Sequence, residues 1–96
     1  MPRVRFVVRG EVQGVNFRAT AVREAMRLAI TGRVWNTADG AVEIIAEGSG
    51  GAVSSLQSWL NEGPPGAEVM GVERIELGGK PRYEGFKITW SAPKDD

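Results

Sequence analysis

Ninety-six residues make one domain, with room for a single hydrophobic core. Twelve basic and twelve acidic side chains cancel, which removes the strong positive field of a typical nucleic-acid binder. The chain has no cysteine and no histidine, so a disulfide framework, a thiolate nucleophile and an imidazole base or metal ligand are excluded. No apolar run approaches the ~20 residues of a membrane span. The start, Met1-Pro2-Arg3-Val4, has no signal-peptide core, and a cytoplasmic protein without membrane contact is expected.

Residues 3–9 alternate Val4, Phe6 and Val8 with Arg3, Arg5 and Arg9, a half-buried strand with arginines on its outer face. The pattern breaks at Gly10 and re-enters as a helix over about 17–29. Ala21, Ala25 and Leu28 share its stripe with Val22, Met26 and Ala29, while Arg23, Glu24 and Arg27 face outward. Gly32 ends that helix and opens a short strand, 33–36. Residues 36–40, Asn-Thr-Ala-Asp-Gly, read as a hairpin loop. A third strand covers 41–47, with Ile45 misplaced on the outer face. Glycines at 48, 50 and 51 precede a second helix over 52–61, with Val53, Leu56, Trp59 and Leu60 inward, stopped by Gly63-Pro64-Pro65-Gly66. A fourth strand covers 67–77, with a bulge expected near 71–73 where the alternation slips. A last strand, 83–90, points Phe86, Ile88 and Trp90 inward, and 92–96 is a frayed tail. Met26 and Met70 read as core filler, and Trp59 as a helix-packing residue.

The order is β-α-β-β-α-β with an added terminal strand. That is the pattern of an α+β, ferredoxin-like sandwich: an antiparallel sheet with two helices on one face. Strands one and two then run the same way, so Gly10 and Asn36 lie at one end. Asn36 shares the parity of Val34, which aims it at the helix side, near the start of the first helix. The strand-to-helix turn at 10–18 leaves backbone N–H groups without intrahelical partners. With the positive end of the helix dipole they suit an anion, and the Arg18 fork is placed to close on it. A phosphate pocket bounded by Arg18 and Asn36 follows.

Two stretches extend this reading. Gly10-Glu11-Val12-Gln13-Gly14-Val15-Asn16-Phe17-Arg18 resembles the first signature of the acylphosphatase family, Gly-x-Val-Gln-Gly-Val-x-Phe-Arg. Gly32-Arg33-Val34-Trp35-Asn36-Thr37-Ala38-Asp39-Gly40-Ala41-Val42 is similar to its second, in the right order. Glu47-Gly48, Gly63-Pro64 and Gly85-Phe86 also fall where the family has them, so nearly the whole chain is covered. The resemblance implies a metal-free hydrolase, without cofactor, that splits the carboxyl–phosphate anhydride of small acyl phosphates and releases inorganic phosphate. Carried over by motif, Glu11, Val12, Gln13, Gly14, Val15, Asn16, Phe17 and Arg18 hold the phosphate, Asn36 positions the attacking water, and Thr37 supports it. A monomer that binds neither nucleic acid nor membrane is expected. The chain departs from the family pattern at four places. Glu11 stands at a usually basic position, Arg33 replaces an aromatic, Trp35 occupies an often basic site, and Ala29 stands where glycine commonly ends the first helix.

The residue types agree with such a reaction. The carboxylate of an acyl phosphate leaves without strong acid, so positioning and charge stabilisation suffice. Arg18 is charged at any working pH. Asn36 can donate to and accept from a water but cannot take its proton, which points to direct water attack, a substrate phosphate oxygen receiving the proton, and no phosphoenzyme. Two other classes use the same fold. An RNA-binding sheet face would display Arg3, Arg5, Arg9, Arg33, Trp35 and Lys87, yet strand three lacks the aromatics of such modules. A catalytically idle phosphate- or protein-binding domain is the third reading. Glu43, Glu47, Glu73 and Glu76 are spaced for strand faces and make a poor metal set without histidine.

Overall fold

The computed structural model describes residues 1–94. Its elements are β1 (Arg3–Glu11), α1 (Phe17–Arg27), β2 (Thr31–Asn36), β3 (Val42–Glu47), α2 (Gly50–Glu62), β4 (Glu68–Glu76) and β5 (Phe86–Ile88). They form one sheet in the order β4-β1-β3-β2-β5. The first four strands pair antiparallel, as the α+β pattern predicts. The fifth lies parallel to β2 on the far edge, so the sheet is mixed, and the strand is shorter than the eight residues read from alternation. Phe86 is buried, Ile88 is half exposed, and Trp90 lies beyond the strand and out of the core.

Both helices pack on the face formed by Val4, Phe6, Val8, Val34, Val42, Ile44 and Ala46. From α1 only Phe17, Ala21 and Ala25 are buried, and two alanines let the helix sit close to the sheet. Met26 falls on the outer flank of this narrow stripe and is 64% exposed, against the core-filler reading. Helix α2 buries Val53, Leu56 and Leu60. It begins two residues before the predicted start because the Ser49 hydroxyl accepts from the Ala52 N–H at 3.1 Å, which draws Gly50 and Gly51 into the first turn. The Trp59 ring packs at 5.6 Å from Phe17, as a helix-packing residue should.

Helix α1 closes with a reciprocal pair of bonds, Ile30 N–H to Ala25 O at 2.9 Å and Ala29 N–H to Met26 O at 3.1 Å. This turn needs a left-handed residue, and Ala29 supplies it at φ 57°. A Cβ in that region costs about 1 kcal/mol. Ala29→Gly is therefore expected to stabilise the protein by about 1 kcal/mol, visible as a higher urea midpoint at unchanged slope. Gly32, read as a helix stop, lies inside β2; a Cβ there would stand 1.8 Å from the Ile45 carbonyl oxygen. The β4 bulge sits one position before its predicted place. Arg9 pairs with Gly71 and Gly10 with Val69, leaving Met70 as the extra residue, turned outward and 80% exposed.

The second face of the sheet is covered too. To go from β4 to β5 the chain must cross the whole sheet, four strand spacings or about 19 Å. Residues 77–85 make that crossing over the outer face. The Leu77 N–H donates to Arg3 O at 2.8 Å, the Arg82 and Tyr83 N–H groups donate to Glu47 at 2.7 and 3.1 Å, and Gly32 N–H reaches Gly85 O at 2.9 Å. Beneath this strap Ile45, Trp35 and Glu47 are buried, which accounts for the apparent misfit of Ile45. The arginine strip is likewise engaged. Arg3 meets Glu47 at 2.9 Å, Arg5 meets Glu43 at 3.3 Å and stacks over Trp35, Arg9 meets Asp39 at 3.1 Å, and Arg33 lies over the Tyr83 ring. Lys87, the remaining basic residue of the predicted strip, is exposed on the edge strand. Residues 92–94 belong to no helix or strand, and Asp95 and Asp96 of the predicted tail lie outside the described residues.

Candidate active site

Between β1 and α1 the chain is pinned at both ends by buried side chains, Val12 and Phe17, with the backbone exposed between them. Gly14 at φ 77° and Asn16 at φ 63° adopt the left-handed conformation, which glycine and asparagine tolerate best. Alternating left- and right-handed residues turn successive N–H groups toward one side and form an anion-binding concavity. Asn16 is also the N-cap of α1, and its side chain makes no capping bond. Among the described residues, no backbone N–H from Gln13 to Ala19 donates to a protein acceptor. Seven open donors stand at the positive end of α1.

Arg18 and Asn36 meet there. Both line a hollow of about 290 Å³ together with Val12, Gly14, Asn16, Phe17, Ala19 and Ile88. Both also line an adjoining hollow of about 330 Å³, bounded by Thr37, Ala38 and Trp90. Among the described residues, Arg3, Arg5, Arg9, Arg27 and Arg74 sit in ion pairs. Arg18 makes no ion pair or hydrogen bond within the described residues. The Asn36 carboxamide is likewise unspent, and its Oδ1 is buried without a partner.

The Gln13 side chain reaches across to the β2–β3 hairpin. Its Nε2 donates to the carbonyl oxygens of Thr37, at 2.9 Å, and Ala41, at 2.8 Å. It brackets the loop to the β2–β3 hairpin and so fixes the distance between the open amides and Asn36. Thr37 is part of the same bracket. Its hydroxyl accepts from Ala41 N–H at 3.0 Å and donates to Asp39. That bond first, and the Arg9 guanidinium second, hold the Asp39 carboxyl below its ordinary pKa. Glu11 ends β1 opposite Glu68, exposed to solvent, and lines neither hollow. Val15 is half-buried and also outside both linings. Ala19, Ile88 and Trp90 enter the site without a motif to announce them. Only the register of the edge strand β5 brings the last two there.

Comparison with known proteins bears on this geometry. The family model for acylphosphatase matches residues 4–88. The chain belongs to the acylphosphatase family. A curated acylphosphatase of Alkalilimnicola ehrlichii is 48% identical over 84 residues, covering 88% of this chain and 93% of that protein. The crystal structure of acylphosphatase from Bacillus subtilis superposes with a TM-score of 0.90 at 34% identity, covering 94% of this chain and all of that one. The acylphosphatase structure from Coxiella burnetii gives 0.87 at 36% identity, with 92% of each chain covered. An acylphosphatase thus has the ferredoxin-like α+β architecture described above, and the hydrolase class read from the two motifs stands. Among the described residues, no helix is long and apolar enough to cross a membrane.

Proposed function

We propose that this chain hydrolyses the carboxyl–phosphate bond of acyl phosphates without a metal, releasing a carboxylate and inorganic phosphate. The observation that carries the reading is the set of open amides from Gln13 to Ala19 beside an arginine with no other partner. A phosphoryl group seated there is held by N–H donors on one side and by the Arg18 fork on the other. Charge that builds on its oxygens in the transition state meets donors already in place, which need no reorganisation during the reaction. Asn36 faces the same hollow with its carboxamide unspent, so it orients a water for attack on phosphorus. The water oxygen bonds to phosphorus and the P–O bond to the acyl carboxylate breaks. The water's proton passes to a phosphate oxygen, because no side chain of the site is a base. Gln13 and Thr37 contribute by holding the two halves of the pocket in register.

Hydrolysis of benzoyl phosphate with a chelator present tests the activity. A single turnover in isotopically labelled water tests the mechanism: the label must appear in phosphate, and label in the carboxylate rules out attack at phosphorus. Asn36→Ala is expected to lower kcat about 10²-fold, the scale of a misplaced nucleophile, while competitive inhibition by inorganic phosphate stays nearly unchanged. Loss of phosphate inhibition with turnover retained would show that Asn36 holds the anion and not the water.

A further inference from the structure

We infer that Trp90 forms the seat of the acyl group and tunes this enzyme toward aromatic acyl phosphates, an inference that rests on the hydrolytic reading above. The parallel ladder pairs Gly32 with Phe86 and Val34 with Ile88. It continues past the end of β5, since Thr89 N–H donates to Val34 O at 2.9 Å. Just past this bond, Trp90 borders the same hollow as Asn36. A bond from Thr89 Oγ1 to Ser91 O, 2.9 Å, fixes the turn that carries it. The chain goes from buried Phe86 to half-exposed Ile88 to Trp90, which is 94% exposed. A tryptophan normally hides most of its ring, and this one stands at the rim of the site with its ring open to solvent.

The two hollows share Arg18 and Asn36. With the phosphate among the loop amides, the acyl group joined to it leads past those two side chains into the hollow bounded by Thr37, Ala38 and Trp90. Ala38 offers no polar side chain, and the Thr37 hydroxyl is occupied by Ala41 N–H and Asp39. What remains is the indole face, which suits a planar, apolar acyl group by stacking. A small acyl group gains little from it.

The test compares benzoyl phosphate with acetyl phosphate in the parent and in Trp90→Ala, Trp90→Phe and Trp90→Leu, measuring kcat/KM for each. Because Trp90 is exposed, none of these variants disturbs the core. Trp90→Ala is expected to lower kcat/KM for benzoyl phosphate about three- to tenfold through KM, with acetyl phosphate moved less than about twofold. Trp90→Phe restores most of the preference, Trp90→Leu restores less, and inhibition by inorganic phosphate is unchanged throughout. An unchanged benzoyl-to-acetyl ratio in Trp90→Ala, or equal rescue by leucine and phenylalanine, overturns the inference. A parent that hydrolyses neither substrate fails earlier and on different grounds, since the proposed activity itself is then absent.

Discussion

Arg18→Ala is expected to lower kcat/KM toward acyl phosphates by about 10³- to 10⁵-fold, the range over which a transition-state arginine acts in phosphoryl transfer. The magnitude follows from what the site lacks. No histidine, cysteine or lysine lines either hollow, so Arg18 is the one side chain there that carries formal positive charge. Arg18→Lys should recover little, because a point charge cannot match two phosphate oxygens at once as the planar fork does. Inorganic phosphate should lose most of its inhibition in both variants. Stability should hardly move, because Arg18 gives up no bond to the protein on truncation, and substitutions of that kind stay within about 0.5 kcal/mol. A large fall in the unfolding midpoint of Arg18→Ala would show the arginine to be structural. Retained turnover would remove it from the chemistry.

The convergence behind this prediction was legible before any coordinates. Val34 had to face the helices, Asn36 shares its parity, and the right-handed crossover sets the end of β2 beside the loop after β1. The positive φ at Gly14 and Asn16, where the loop bends, was not read in advance; only the break at Gly10 was. What alternation could not reveal was the strap. A strand in which Glu43 and Glu47 alternate with Val42, Ile44 and Ala46 looks like one face in water. Two large apolar residues on that face, Ile45 and Trp35, were the signs that it is covered. The crossing of 77–85 is a non-local event without periodicity of its own, and it also decides that β5 joins the β2 edge in parallel. Hence Ile88 and Trp90 reach the site unannounced. Met26 and Met70 show the same limit locally, since a one-residue rotation on a helix or one extra residue in a strand turns an apolar side chain outward.

The strap leads to the second large effect. Glu47 is buried, and its carboxylate accepts from Arg3 Nε at 2.9 Å, Thr31 Oγ1 at 2.9 Å, Arg82 N–H at 2.7 Å and Tyr83 N–H at 3.1 Å. One side chain thereby joins β1, β2 and β3 to the segment that carries β5. Glu47→Ala would take the carboxylate away from the buried Arg3 guanidinium and from two backbone donors, so a cost of about 3–5 kcal/mol is expected. Against a total of about 5–15 kcal/mol for a domain, that takes a large share of the stability. Burial works to raise the Glu47 pKa, but the bonds from Arg82 N–H, Arg3, Thr31 and Tyr83 N–H outweigh it and hold the carboxyl below its ordinary value. The folded state then binds the proton more weakly than the unfolded chain. The stabilisation is complete above the unfolded carboxylate pKa and is lost as pH falls through the lower, folded one. Glu47→Gln removes this proton linkage while keeping the side chain's size. Its urea midpoint should therefore lie below the parent's at neutral pH and draw closer to it as the solution is acidified. Parallel curves for parent and variant would mean that Glu47 is not the group whose protonation loosens the strap. If the strap does carry β5 into place, Glu47→Gln at neutral pH should also weaken the benzoyl preference assigned to Trp90, although the substitution lies on the opposite face of the sheet.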